Sequence, residues 1–148
     1  ASDSLLFIVD AQAGLARAVA KAPRRLERTG LLLASAARLA VPVLVSEQYP
    51  QGLGGTDPRL GPELQGLVVL PKITFSAWRE PAIRQHIVAS GRREIVLCGM
   101  EAHVCVLQTA LDLLSQGYVV RLVTDATGSR PAADRRPLPG WWPAAASS

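Results

Sequence analysis

An apolar segment leads directly into a helical one in the sequence EIVLCGMEAHVCV, residues 94–106. The continuous apolar run predicts a buried strand over Glu94–Gly99, and the pattern after it predicts a helix from about His103 to Gln116, ended by Gly117. Cys105 therefore falls at the start of a helix, where unpaired backbone N–H groups and the helix dipole favour thiolate over thiol. A cysteine with a purely structural role needs no such position.

Two further ionisable residues stand at the ends of apolar runs. Asp10 ends the run that begins at Leu5, and Lys72 follows the apolar run 67–71. An acid, an amine and a thiol thus each follow a predicted strand. Ligands of parallel α/β sheets bind outside the carboxyl ends of the strands. This placement predicts an enzyme with these three side chains at one edge of its sheet.

Strands and helices alternate along the chain, and Glu47–Gly66, rich in glycine and proline, is predicted to be a long loop between them. This alternation indicates an α/β fold, with a parallel sheet of about five strands covered on both faces. The strand order 3-2-1-4-5 places Asp10 opposite the start of the Cys105 helix. The predicted strands are Leu5–Asp10, Val43–Ser46, Val68–Pro71, Glu94–Gly99 and Val119–Thr124, and the earlier helices are Arg24–Leu39 and Pro81–Ser90.

Composition narrows the class of protein. The 148 residues are expected to form one domain with a full core. The net charge of +4 comes from arginines interleaved with acids and without accompanying aromatic residues, so no nucleic-acid partner is predicted. No apolar stretch reaches the roughly 18 residues that span a membrane, and no signal-peptide pattern is present. We therefore expect a cytoplasmic protein without a membrane partner.

Four segments resemble the isochorismatase-like cysteine hydrolases, especially their isochorismatase domain-containing subgroup. The similarity runs from about Leu5 to Arg135, with the segments in the same order and at plausible spacing. Any one of them alone is a weak signal, but the four together are specific. The segments are FIVDAQ (7–12), SEQYPQGLG (46–54), KITFSA (72–77) and GMEAHVCVLQTA (99–110).

The resemblance implies a three-layer α/β/α fold and a catalytic triad of Asp10, Lys72 and Cys105. It also implies a cis peptide bond between Met100 and Glu101, with the backbone N–H groups of Glu101 and Cys105 forming an oxyanion hole. Further residues near these segments are predicted to bind the substrate. They are Gln12, Tyr49, Phe75, Trp78, Met100 and His103.

The implied chemistry is hydrolysis of a small amide or related C–N bond through a thioester on Cys105. Family members that cleave the isochorismate vinyl ether lack the cysteine, so Cys105 argues against that activity. Nicotinamidases hold a metal through an aspartate and histidines after the second strand, where this chain offers Glu47 and no histidine. No metal and no cofactor are therefore predicted. The expected partners are a small-molecule substrate and, in a homo-oligomer, further copies of the chain.

Residues 131–148 depart from the family pattern, because the usual C-terminal strand and helix are missing from this proline- and tryptophan-containing segment. We expect this tail to result from truncation or a shifted reading frame. Two other functions stay open. A family member with a damaged pocket would act as a structural or interaction module. A redox-sensing thiol is the weaker alternative, because no resolving cysteine is evident near Cys105.

Overall fold

Five parallel strands form a single sheet in the order β3-β2-β1-β4-β5. The computed structural model describes residues 2–130. The predicted α/β class and strand order are confirmed. The strands are β1 (Ser4–Val9), β2 (Val43–Gln48), β3 (Val68–Lys72), β4 (Glu94–Met100) and β5 (Val119–Gly128).

Helices cover both faces of the sheet and make the predicted three layers. Successive side chains of β1 pack into two separate cores, one on each face of the sheet, because successive residues of a strand point to opposite faces. Leu6 and Ile8 pack with Leu26 of helix α2 (Ala22–Arg38), whereas Phe7 packs with Ile87 of helix α4 (Pro81–Ser90). The helices are α1 (Ala13–Ala16), α2 (Ala22–Arg38), α3 (Pro50–Leu53), α4 (Pro81–Ser90) and α5 (Leu107–Ser115), with 3₁₀ helices at Pro58–Leu64 and Ala77–Arg79 and a π-helical turn at Ala102–Val106.

The segment predicted as a long loop, 47–66, is more ordered than expected. It contains the short helix α3 and the 3₁₀ helix Pro58–Leu64, both opened by a proline. Proline breaks the interior of a helix but suits its first turn, where its missing N–H costs nothing. Both β2 and β3 also continue beyond their predicted ends, because Gln48 pairs in register with Lys72. Lys72 is thus the last residue of a strand.

Gly99 allows β4 to lie close against β1. Its φ is +136°, and a Cβ at this position would stand 1.9 Å from the carbonyl oxygen of Val9. Only glycine fits such a backbone at so short a separation. The glycine thereby fixes where β4 ends relative to β1, and with it the position of the following turn.

Some surface features bear on partners. No helix within residues 2–130 has both the length and the apolar composition needed to cross a membrane. Helix α5 exposes Leu107, Leu111 and Leu114 at helical spacing along one face. Assembly into a homo-oligomer stays a prediction. The expectations for the tail concern residues 131–148, which lie outside the described residues.

Candidate active site

The carboxyl ends of three strands bring together the acid, the amine and the thiol. Asp10 directly follows β1, Lys72 ends β3, and Cys105 lies in the π-helical turn after β4. All three are buried, with 0–2% of their surface exposed. Lys72 Nζ lies 2.9 Å from Asp10 Oδ2, and the Cys105 thiol interacts with both groups. The sequence-predicted convergence of these side chains is therefore present in the structure.

Lys72 is held by neutral acceptors as well as by its counter-ion. Its ammonium donates to Gln48 Oε1 at 2.5 Å, to the carbonyl of Thr74 at 2.8 Å and to the carbonyl of Phe75 at 2.9 Å. These bonds use all three N–H groups, so its contact with Asp10 is mainly ionic. Burial is the largest single effect and opposes the charge of Lys72, but the combined attraction of Asp10 and Cys105 outweighs it, so the pKa of the ammonium is raised. The cation is therefore permanent and fixed in place.

The two carboxylate oxygens of Asp10 have different surroundings. Oδ1 accepts a hydrogen bond from Ser46 Oγ at 2.7 Å. Oδ2 lies beside the Lys72 ammonium but, within residues 2–130, receives no aligned hydrogen-bond donor. The residue has a φ of 54°, a left-handed conformation that aspartate tolerates better than most residues. Asp10 therefore presents one anchored oxygen and one that can accept a proton.

The surroundings of Cys105 favour the thiol over the thiolate, which runs against the sequence-based expectation of an ionised sulfur. Burial first and the charge of Asp10 second raise the pKa of Cys105, Lys72 only partly offsets them, and the resulting pKa is about 12. The helix start was expected to dominate, but loss of water and a neighbouring carboxylate are the larger effects. The thiol can therefore attack only if a base removes its proton as it reacts.

The turn between β4 and Cys105 is shaped by Glu101. The peptide bond between Met100 and Glu101 is cis, at the position to which the resemblance assigned it. The Glu101 carbonyl accepts from the N–H groups of Val104 and Val106, whereas its own N–H has no acceptor within the described residues. Its carboxylate pairs with Arg130 Nε at 2.7 Å, and both side chains are largely buried. Arg130 thus ties this turn to the end of β5.

The predicted substrate-binding residues divide into two groups. Gln12 is buried and uses both its N–H groups on the carbonyls of Gln48 and Gly54, so it fastens loops together. The Met100 side chain is packed into the core on the α2 side. Phe75 contacts both cores, and its carbonyl accepts a hydrogen bond from the Lys72 ammonium. For these residues the geometry favours a supporting role over direct contact with a ligand.

The other three predicted substrate-binding residues are Tyr49, His103 and Trp78, and Trp78 lies near the opposite end of the sheet. Tyr49 is half-buried and donates its N–H to the Lys72 carbonyl, and His103 is exposed. Trp78 packs edge-to-face on Tyr118 at 5.6 Å between ring centroids. It lines a cavity of about 390 Å³ that also involves residues 91–93 and 116–118, just before β4 and β5. Those are the amino ends of the strands, so these contacts give no support to the substrate-binding role of Trp78, which stays a prediction.

Thr109 links the Cys105 turn to the segment after Lys72, and no sequence pattern indicates this role. Its Oγ1 donates to the Cys105 carbonyl at 2.6 Å and accepts from the Ala77 N–H at 2.9 Å. Serine and threonine commonly bond a carbonyl four residues back. Its second bond, however, joins residues 32 apart and depends on packing. Thr109 is a positioning residue for the site.

We expect Thr109→Val to lower the free energy of unfolding by about 1–3 kcal/mol, because the buried Ala77 N–H loses its acceptor while the side-chain volume hardly changes. Denaturant unfolding followed by circular dichroism measures this loss. Thr109→Ser keeps the hydroxyl and is the matched control. A valine variant as stable as the serine variant would show that the two hydrogen bonds contribute nothing.

The described residues offer no evident metal centre. Within residues 2–130, histidine, cysteine, aspartate and glutamate nowhere form a group of three or more that could hold a metal ion. Glu47, which stands in the family's metal-binding region, accepts from both the N–H and the hydroxyl of Thr56. Its carboxylate fastens the loop after β2.

Comparison with known proteins agrees with the fold and the order of these elements. Residues 4–137 match the family model described as the Isochorismatase domain. The chain belongs to the isochorismatase family. Isochorismatase domain-containing protein 2 of Pongo abelii is 44% identical over 133 residues, which are 89% of this chain and 63% of that protein. The chain therefore spans less than two thirds of the length of this relative.

Solved structures of the family show the same architecture. The MAR1 ribonuclease of Caenorhabditis elegans is 37% identical, with a TM-score of 0.82 over 90% of this chain and 69% of that one. YcaC from Pseudomonas aeruginosa, solved with hexane-2,5-diol and covalent acrylamide, is 27% identical, with a TM-score of 0.78 over 89% of this chain and 68% of that one. TM-scores at this level show that the chain shares its fold with both proteins.

Proposed function

We propose that the chain is a cysteine hydrolase of the isochorismatase family that cleaves a small amide or related C–N bond through a thioester. The proposal rests on one observation. The buried Cys105 thiol interacts with both Asp10 and Lys72. Among residues 2–130, Asp10 Oδ2 has no hydrogen-bond partner, and the Lys72 ammonium is held in position by three other acceptors. A thiol beside a base that is itself oriented by a third group is the arrangement of nucleophilic catalysis.

In the first half of the reaction, Asp10 Oδ2 takes the proton of Cys105 as the sulfur bonds to the substrate carbonyl carbon. The N–H groups of Glu101 and Cys105 hold the oxygen that becomes negative. The carbonyl re-forms, the C–N bond breaks, and Asp10 gives its proton to the leaving nitrogen. The products of this half are a free amine, or ammonia, and an acyl group on the sulfur.

In the second half, water attacks the thioester carbon. Asp10 removes the proton from the water, the carbon–sulfur bond breaks, and the proton returns to Cys105 as the acid leaves. Lys72 stays charged throughout and keeps Asp10 in position. Because the base is used twice and restored, the cycle needs no cofactor.

Two features favour a small carboxamide as the substrate. The candidate site is enclosed, with Asp10, Lys72 and Cys105 all buried, so a bulky substrate has little room. The YcaC relative holds covalent acrylamide, a small carboxamide whose alkene reacts with thiolates. We infer that the site of this chain also admits a carboxamide beside Cys105.

Trapping the acyl group on sulfur tests the proposal. The protein is mixed with small carboxamides and N-carbamoyl compounds, quenched in acid and digested, and mass spectrometry then locates any acyl group. We expect the adduct on the Cys105 peptide, its absence in Cys105→Ala and its retention in Cys98→Ala. Single-stranded RNA is included because the similar protein of Caenorhabditis elegans is named a ribonuclease. Turnover of RNA, or amide turnover that survives Cys105→Ala, would contradict the proposal.

A structural or interaction module is the second candidate, and the enclosed site favours it. If Cys105 stays unlabelled by every carboxamide while the protein is folded, the module is the better description. A redox-sensing thiol has less support, because Cys98 lies in the core on the α2 side and Cys105 in the core on the α4–α5 side. The sheet separates the two sulfurs, so Cys98 cannot act as the resolving cysteine.

A further inference from the structure

Ser76 carries a buried hydroxyl that has no hydrogen-bond partner. The residue is 2% exposed. Within residues 2–130, its Oγ and Asp10 Oδ2 are the buried side-chain polar atoms without such a partner. Leaving a buried hydroxyl unpaired costs about 1–3 kcal/mol. Alanine would fill the same space without that cost, so the hydroxyl calls for an explanation.

The backbone on either side of Ser76 is bonded to elements of the candidate site. The Phe75 carbonyl, one residue before it, accepts from Lys72 Nζ at 2.9 Å. The Ala77 N–H, one residue after it, donates to Thr109 Oγ1, which in turn bonds the Cys105 carbonyl. The backbone of Ser76 is therefore tied on one side to Lys72 and on the other to the turn that carries Cys105.

The local fold itself gives no reason for a serine here. Ser76 precedes the 3₁₀ helix Ala77–Arg79, but its side chain makes no capping hydrogen bond. Its φ of −75° and ψ of 123° suit any residue. Its carbonyl is occupied, because it accepts from the Thr74 hydroxyl and the Arg79 N–H. The backbone is thus fixed by other groups, and only the hydroxyl is left over.

We infer that Ser76 is a specificity-determining residue whose Oγ accepts a hydrogen bond from the N–H of the substrate's scissile amide. The inference rests on the proposed function. Ser76 Oγ and Asp10 Oδ2, which have no hydrogen-bond partner among residues 2–130, then have complementary tasks. The hydroxyl orients the nitrogen, and the carboxylate delivers the proton with which that nitrogen leaves. An ester has no N–H to offer, so Ser76 selects amides over esters.

The test compares Ser76→Ala with the parent on a carboxamide and the methyl ester of the same acid. We expect kcat/KM for the carboxamide to fall about tenfold, the value of one hydrogen bond, and kcat/KM for the ester to change less than about threefold. The melting temperature should stay the same or rise, because no native bond is lost. Ser115→Ala, which removes an exposed hydroxyl on α5, is the matched control.

A second readout separates this inference from the proposed function. In a Cys98→Ala background, Cys105 is alkylated with iodoacetamide, which has a carboxamide, and with methyl methanethiosulfonate, which has none. We expect Ser76→Ala to slow the first reaction about tenfold more than the second. A protein that hydrolyses neither substrate contradicts the proposed function alone. If Ser76→Ala slows both alkylations equally, or lowers kcat/KM equally for the amide and the ester, Ser76 has no role in recognising the amide. A Cys105 that reacts with neither reagent also overturns that role.

Discussion

Replacing Asp10 with asparagine is expected to abolish hydrolysis and at the same time to make the Cys105 thiol easier to ionise. Hydrolysis should fall by about 10²–10⁴-fold, because the group that takes the thiol proton and returns it to the leaving nitrogen is gone. The pKa of Cys105 should fall, because the carboxylate that raises it is removed and Lys72, which lowers it, stays. The variant is therefore expected to hydrolyse more slowly although its thiol ionises more easily.

Alkylation by iodoacetamide between pH 6 and pH 10 measures the thiol, and Cys98→Ala removes the other cysteine. At each pH the Asp10→Asn variant should react faster than the parent. Asp125→Asn is the control, because this exposed carboxylate pairs with Arg28 outside the site and should change neither rate. Slower alkylation in Asp10→Asn would mean that the aspartate ionises the thiol beforehand, and retained hydrolysis would remove it from the mechanism.

The strand order could be predicted because the local pattern and the global topology agree. The apolar runs alternate with helices, and the three central strands β1, β2 and β4 are buried. Such repeats build a parallel sheet with few possible orders. The ends of β1, β3 and β4 then had to meet at one edge. Asp10, Lys72 and Cys105 were identifiable as candidates because a charged or reactive residue at a buried strand end is otherwise costly.

The protonation state of Cys105 could not be predicted in the same way. A position at the start of a helix is visible in the sequence, but burial and the distance to a carboxylate are not. The same limit applies to Thr109, whose bond to Ala77 spans 32 positions, and to the Glu101–Arg130 pair. Trp78 follows the family segment closely in sequence, yet its ring turns toward the opposite end of the sheet.

Replacing Lys72 with methionine is expected to lower the free energy of unfolding by about 3–5 kcal/mol, because Asp10 is then a buried charge without its counter-ion. Methionine keeps the length and apolar stem of lysine. The carbonyls of Thr74 and Phe75 also lose their donor. The loss of charge pairing can be separated from these other losses by a double-mutant cycle with Asp10→Asn, measured by urea unfolding.

In the double variant Asp10→Asn/Lys72→Met no buried charge is left unpaired, so its stability loss should be smaller than the sum of the two single losses by about 1–3 kcal/mol. The carbonyls that Lys72 served lose this donor in both lysine variants, and the cost of that loss cancels from the cycle. Strict additivity would mean that the 2.9 Å contact between Nζ and Oδ2 contributes nothing. Lys72 would then be held by its neutral acceptors alone, and Asp10 would need another group to keep its charge in the interior.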